Sequence, residues 1–215
     1  MKKQAVLLVN LGSPDSPAVP DVRRYLREFL MDERVIDLTP WERWMLVHLL
    51  ILPFRPRRTA EAYRKIWWPD GAPLVVISRR VQAALQRRLP VPVELAMRYQ
   101  HPSLETALVK LKKAGAARVV VIPLYPQYAL SSHETVARRA REVARQLAPG
   151  IQLEIIPPFY DDPNYVRAWV NSSERFLRGD YDHLLFSFHG LPERHLHKTD
   201  PTGRHCLRAD PAEQN

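Results

Sequence analysis

The chain has 215 residues, of which 46% are hydrophobic and 26% charged, and its formal net charge is +9 at pH 7. This composition is typical of a globular protein with one large or two small domains. No segment has the roughly 18 uninterrupted apolar residues that a membrane span requires, and the single cysteine, Cys206, excludes an internal disulfide. The positive charge favours anionic partners, but it is spread over several segments without a long basic run or a zinc-finger spacing, so we expect no nucleic-acid binding.

Strand and helix patterns alternate along the chain. Apolar runs predict strands at residues 5–9, 93–97, 118–123, 153–156 and 183–188. Apolar residues at helical spacing predict helices at 21–31, 60–67, 75–89, 104–114, 133–147 and 163–177, with Ser103 as the N-cap of the fourth. This alternation is typical of βαβ units, and we therefore predict an α/β fold with parallel sheets. The first run is short and has no small-residue cleavage site after it, which predicts a cytoplasmic protein rather than a secreted one.

An apolar stretch at residues 45–54 interrupts the alternation. Trp41 and Trp44 precede it, and Arg55, Arg57 and Arg58 follow it. The stretch is too short to cross a bilayer. It is either a buried helix of the core or an apolar lip with a basic edge, and the second interpretation predicts peripheral membrane contact through residues 41–58.

The apolar run that ends at Phe188 is followed directly by His189, and Gly190 and Pro192 then break the backbone. In open parallel α/β sheets, ligands bind just outside the carboxyl ends of the strands. We therefore predict that His189 lies in a binding site, although the same residue could simply satisfy a local backbone carbonyl.

Several segments resemble the ferrochelatase family, in the family's order along the chain. They are Asn10–Pro14, Tyr63–Trp67 with Asp70–Leu74, Met97–Tyr99, Pro123–Tyr128 and Ser187–Arg194. The resemblance covers nearly the whole chain. It implies an enzyme that inserts ferrous iron into protoporphyrin IX or a related porphyrin to form haem. It also implies two Rossmann-like lobes around a porphyrin cleft, here residues 1–148 and 149–215, with a proline-rich hinge at 149–158 and the second lobe incomplete.

The resemblance also implies roles for particular residues. His189 matches the family's active-site histidine, which acts as metal ligand, as acceptor of pyrrole protons, or as both. The matched substrate-binding positions are Leu11 beneath the ring, Arg64 and Lys65 near the propionates, Arg98 and Tyr99 against the macrocycle, Tyr125 and Tyr128 in the cleft wall, and Ser131 and Ser132 in the loop beyond it. A neutral imidazole suits both ferrous iron and proton transfer at cellular pH.

The chain also departs from the family pattern. Ferrochelatases usually continue well beyond residue 215, and the glutamate that faces the histidine has no match here, so we expect a chain truncated at its C-terminus. Leu130 stands where some members have a cluster-binding cysteine, so we predict no iron–sulfur cluster and no tightly bound cofactor, with Fe²⁺ as a substrate. Two alternatives to a catalytic chelatase are a non-catalytic porphyrin- or haem-binding fragment and an unrelated basic α/β protein that binds nucleotides or nucleic acid. The second alternative is weakened by the absence of a G-x-G-x-x-G or P-loop motif.

Overall fold

The computed structural model describes residues 3–179, 181–187 and 189–200. They form two compact units, one ending at Pro157 and the other beginning at Pro158. The strands are β1 (Gln4–Gly12), β2 (Val93–Tyr99), β3 (Arg118–Pro123) and β4 (Gln152–Ile155). The helices of the first unit are α1 (Val19–Leu30), α2 (Pro40–Met45), α3 (Leu52–Ile66), α4 (Pro73–Gln86), α5 (Leu104–Lys113) and α6 (Thr135–Leu147), and those of the second are α7 (Pro163–Leu177) and α8 (Glu193–Thr199).

The four strands form one parallel sheet in the order β2-β1-β3-β4. β1 is central: Val6 pairs with Val93 of β2 on one side and with Val120 of β3 on the other. The predicted α/β fold with a parallel sheet is confirmed.

Side chains of β1 alternate between two buried faces, as in other parallel sheets covered by helices on both sides. Leu7 and Val9 lie in a cluster with apolar residues of α5 and α6. Leu8 lies in the opposite cluster, against Leu95 of β2 and Leu85 of α4. Both faces of β1 are therefore part of the core, and the sheet presents its carboxyl edge for other contacts.

Local signals explain the starts of several helices. The Ser103 hydroxyl accepts a hydrogen bond from the Thr106 amide at 3.2 Å and caps α5 as predicted. Thr39 and Glu42 form a capping box at the start of α2. The predicted helix at 60–67 is only the C-terminal part of α3, which begins at Leu52 and contains Pro53 in its first turn and Pro56 in its interior.

Two π-helical segments were not predicted. Leu46–Ile51 joins α2 to α3, and Leu130–Glu134 leads into α6. Their extra residue per turn leaves no signal in a pattern of apolar spacing. The second lies in the loop that carries Ser131 and Ser132.

The predicted strand at 183–188 is wrong for the residues that the structure describes. Residues 183–187 have no regular secondary structure, and Leu185 is 92% exposed. A strand exists only with a hydrogen-bonding neighbour, and no described residue of the second unit forms one. The last residue of that prediction, Phe188, and the single cysteine, Cys206, lie outside the described residues.

In the second unit, α7 matches its prediction, and the Asp162 carboxylate accepts hydrogen bonds from the amides of Asn164 and Tyr165. The boundary between the units follows β4, whereas the predicted lobe boundary at 148/149 precedes it. β4 belongs with the first unit because it pairs with β3.

Candidate ligand site at the carboxyl edge of the sheet

The carboxyl ends of the parallel strands bring several predicted residues together. Gly12 pairs with Tyr99, and Val9 pairs with Pro123, so Leu11, Arg98 and the loop after β3 lie at one edge. The end of β1 is held by Asn10, whose amide nitrogen donates to the Ser78 hydroxyl at 3.1 Å. This edge is where ligands bind in open α/β sheets.

A buried carboxylate, Asp32, lies at the centre of this edge, just after α1. Its Oδ2 accepts hydrogen bonds from Arg98 Nη2 at 2.5 Å, from Tyr99 Oη at 2.9 Å and from Thr135 Oγ1 at 2.5 Å. Its Oδ1 accepts one from the Arg34 amide at 2.8 Å. Burial acts to raise the pKa of Asp32, but the hydrogen bond from Thr135, the other donors and the charge of Arg98 outweigh it, so the net pKa lies below the usual value. Asp32 is therefore ionised at neutral pH.

Arg98 and Tyr99 differ in how accessible they are. The guanidinium of Arg98 lies 4.3 Å from the centre of the Tyr99 ring, and its side chain is 14% exposed. Tyr99 is fully buried, and its ring packs at a right angle against Phe29 at 5.2 Å. Arg98 can reach a ligand directly, whereas a contact of Tyr99 with a macrocycle stays a prediction.

Arg98 and Asp32 line a cleft of about 700 Å³. Arg27, Arg139 and Glu28 also line it, so the walls carry charges of both signs. Gln100 completes this wall with a φ of 63°, a left-handed conformation that is uncommon for a residue other than glycine. It is held there because its side-chain oxygen accepts a hydrogen bond from Arg24 at 3.0 Å and its backbone N–H donates one to the Glu28 carboxylate at 3.1 Å.

An aromatic cluster lies behind Leu11. Tyr25 stacks on Phe29 at 5.8 Å and meets Tyr63 edge-on at 6.4 Å. Leu11 and Tyr63 are partly buried against this cluster. Burial raises the pKa of Tyr25 and of Tyr63, so both phenols are neutral. Leu11 is therefore part of an apolar wall, and its place beneath a porphyrin ring stays a prediction.

The loop after β3 carries four of the predicted residues. Tyr125 is half-buried, and among the described residues its hydroxyl has no hydrogen-bond partner; burial raises its pKa. Tyr128 is 39% exposed, and its hydroxyl lies 3.5 Å from a Glu134 carboxylate oxygen. Ser131 and Ser132 are half-buried in the π-helical segment Leu130–Glu134.

His133, in the same loop, was expected to be no more than a residue at a helix start. It is 7% exposed, and its Nε2 lies 3.0 Å from the carbonyl oxygen of Ile156. A carbonyl only accepts, so Nε2 donates this hydrogen bond, and Nδ1 has no hydrogen-bond partner within the described part of the chain. Nothing in the spacing of the sequence distinguishes this histidine from a surface residue.

Several basic and apolar side chains of α3 and of the segment before it are exposed. Arg64 and Lys65 lie in the last turn of α3 with exposed side chains. In the segment 41–58, Trp41 is 65% exposed, Leu50 63% and Phe54 77%, whereas Val47 and Leu52 are buried. No helix among the described residues is long and apolar enough to span a bilayer.

His189 belongs to the second unit, and its side chain is exposed. Its membership of the site stays a prediction. Within the described ranges, no group of three or more histidine, cysteine, aspartate or glutamate residues is arranged to hold a metal ion. The sequence interpretation did not identify Asp32, Tyr25 or Phe29 as residues of the site. The apolar spacing along α1 predicts that Tyr25 and Phe29 belong to the core, and nothing more specific.

Comparison with known proteins shows which family the sequence is similar to. The chain is 54% identical to the ferrochelatase of Stutzerimonas stutzeri (strain A1501) over 211 residues, which are 98% of this chain and 62% of that relative. It is 54% identical to the ferrochelatase of Pseudomonas fluorescens (strain Pf0-1) over 97% of this chain and 61% of the relative. The ferrochelatase of Pseudomonas syringae pv. tomato (strain ATCC BAA-871 / DC3000) is 53% identical over 98% of this chain and 62% of its own. The chain thus spans about 62% of the length of these curated relatives. Because the family model also matches residues 3–210, the chain belongs to the ferrochelatase family.

Proposed function

We propose that this chain carries the porphyrin-binding edge and the histidine of a ferrochelatase, which inserts ferrous iron into protoporphyrin IX or a related porphyrin to form haem. The observation that carries the proposal is the convergence of Leu11 and Arg98 at the carboxyl edge of a parallel sheet, in a chain that belongs to this family. Both residues were selected from sequence motifs alone.

The chemistry of this edge suits an amphiphilic dianion. Leu11 and the partly buried Tyr63 offer an apolar wall for the ring, and Arg98 offers guanidinium N–H groups. Arg64 and Lys65, exposed at the end of α3, supply cations for the propionates. The wall continues along the loop after β3 with Tyr125, Tyr128, Ser131 and Ser132.

His189 supplies the proton chemistry in this proposal. Insertion of Fe²⁺ displaces two protons from the pyrrole nitrogens, and a neutral imidazole accepts a proton at cellular pH and releases it to water. The same lone pair can bind ferrous iron before the transfer. The chain has one cysteine, at position 206, which supports the prediction that it holds no iron–sulfur cluster.

The test is anaerobic insertion of Fe²⁺, with Zn²⁺ as a surrogate, into protoporphyrin and into coproporphyrin. His189→Ala is compared with His101→Ala, an exposed histidine whose Nδ1 lies 3.0 Å from Asp15. We expect His189→Ala to abolish insertion and His101→Ala to retain it. Porphyrin binding without insertion by the unsubstituted chain would favour the non-catalytic porphyrin-binding alternative, and the absence of both would refute the proposal.

A second proposed contact involves a membrane surface. Trp41, Leu50 and Phe54 expose large apolar side chains next to the exposed Arg55, Arg57 and Arg58. Apolar side chains with adjacent cations are typical of segments that lie on anionic bilayers. The alternative of a buried core helix accounts for Val47 and Leu52 but not for these side chains.

Sedimentation with vesicles of phosphatidylcholine and phosphatidylglycerol tests this contact. Phe54→Ser should release the protein from the vesicles, and Ile77→Ser should not, since Ile77 is 49% exposed on α4, outside the segment 41–58. Equal release by both substitutions would contradict a specific role of the segment.

A further inference from the structure

The guanidinium of Arg98 is fixed by two neighbours. Nη2 donates to Asp32 at 2.5 Å, and Nε donates to the Thr135 hydroxyl at 2.7 Å. The Thr135 hydroxyl in turn donates to Asp32 at 2.5 Å, so these three side chains close a ring of hydrogen bonds. The ring of Tyr99 lies against the same guanidinium at 4.3 Å.

The third nitrogen of the guanidinium is not used by these neighbours. Within the described part of the chain, Nη1 of Arg98 has no hydrogen-bond partner, although the side chain lines the cleft of about 700 Å³. An arginine held by two of its nitrogens loses little further conformational entropy when a ligand engages the third. The unengaged nitrogen is thus preorganised for an acceptor.

Asp32, which binds Arg98, is itself bound by three separate parts of the chain. Asp32 follows α1 and is bound by residues of β2, by the start of α6 and by the Arg34 amide. Its side chain is only 4% exposed. Because its carboxylate is ionised, it also balances most of the positive charge of Arg98.

We propose that Asp32 is a positioning residue for porphyrin binding, which acts by fixing the guanidinium of Arg98 at the cleft rather than by touching the ligand. This inference rests on the proposed function, because it requires that the cleft receives a porphyrin. It predicts an effect of Asp32 on binding that passes entirely through Arg98.

A double-mutant cycle separates this role from a merely structural one. Protoporphyrin affinity is measured by absorbance titration for the unsubstituted chain, Asp32→Asn, Arg98→Met and the double variant. We expect Asp32→Asn to raise the Kd about tenfold, the usual size for a lost charge-assisted hydrogen bond. In the Arg98→Met background, the same substitution should leave the Kd unchanged. Glu154→Gln is the matched control, since Glu154 also binds an arginine, Arg118, at 2.5 Å but is exposed.

A second measurement requires no porphyrin. The Nε–H resonance of Arg98 in a ¹⁵N NMR spectrum, assigned by its loss in Arg98→Met, should exchange slowly with water in the unsubstituted chain. It should broaden or disappear in Asp32→Asn and persist in Glu154→Gln. If Asp32→Asn does not fold, Thr135→Val removes one member of the hydrogen-bonded ring, the direct acceptor of the Arg98 Nε–H. It should raise the Kd by a smaller factor than Asp32→Asn and should broaden the Nε–H resonance at least as much.

The outcomes are distinct. An unchanged Kd in Asp32→Asn, or an equal loss of affinity in the Arg98→Met background, would overturn the positioning role. If the unsubstituted chain binds no protoporphyrin, the proposed function fails, and a retained Arg98 resonance in Asp32→Asn would then overturn the positioning role independently.

Discussion

Gly12→Ala is expected to destabilise the first unit strongly, because the structure leaves no room for a side chain at the end of β1. Gly12 has a φ of +109°, which L-residues with a side chain rarely adopt. A Cβ there would lie 2.0 Å from the carbonyl oxygen of Tyr99 and 3.3 Å from the Cβ of Met97. The nearest atom belongs to the backbone of β2, which pairs with Gly12, so it cannot move aside without opening the sheet.

The expected cost has two parts. A left-handed conformation costs a residue with a side chain about 1–2 kcal/mol, and overpacking against a fixed neighbour adds about 1–3 kcal/mol. We therefore expect Gly12→Ala to lower the free energy of unfolding by about 2–5 kcal/mol. Urea denaturation followed by far-ultraviolet circular dichroism measures this loss.

Gly150→Ala provides the matched control. Gly150 also has a positive φ, +93°, but a Cβ there would have no heavy atom within 4 Å. This substitution should cost only the conformational part, about 1–2 kcal/mol. Equal losses at the two positions would show that the contact with Tyr99 has no energetic weight and would refute the reasoning.

Three further predictions concern stability. Asp32→Asn should lower the free energy of unfolding by about 3 kcal/mol, because it leaves Arg98 without its counterion in a largely buried place. Burial acts to raise the folded-state pKa of Asp32, but the net pKa is lowered. The stability lost in Asp32→Asn should therefore be largest above about pH 4 and should shrink as the pH falls through the folded-state pKa. A stability loss that stays constant down to about pH 2 in urea denaturation would contradict this prediction. Leu7→Ala removes a fully buried side chain and should cost about 3 kcal/mol by the same assay, and a loss below about 1 kcal/mol would argue against the described core. Ser103→Ala removes the cap of α5 and should cost about 1 kcal/mol, which Ser103→Asp should largely restore because aspartate is an equally good cap.

The alternation of apolar runs was sufficient to predict the sheet. The four strands all lie where apolar runs predicted them. β1, β2 and β3 contribute buried side chains to the core, whereas the side chains of the edge strand β4 are half-buried or exposed and β4 pairs only with β3. The segment 183–187 has an equally apolar pattern and forms no strand in the structure. A strand pattern states which residues can pair, but the pairing itself depends on a neighbour that no local window contains.

The site was partly predictable. Leu11 and Arg98 were identified through the resemblance, and they meet at one edge because β1 and β2 are parallel neighbours. Asp32 was not identified, since its importance arises from donors on β2 and α6 that are distant in the chain. Its position after α1 is equally compatible with an exposed helix end.

The central place of β1 has a consequence for how the protein is made. Val6 leaves the ribosome before its partners Val93 and Val120, which come later in the chain. Its apolar strand is therefore unpaired until β2 has been synthesised, and one of its edges stays open until β3 follows, at a rate of about 5–20 residues per second. During those seconds the strand is open to association with other nascent chains or to capture by a chaperone. Slow codons placed between β2 and β3 would lengthen that exposure, and we expect them to lower the yield of folded protein more than slow codons placed after β3.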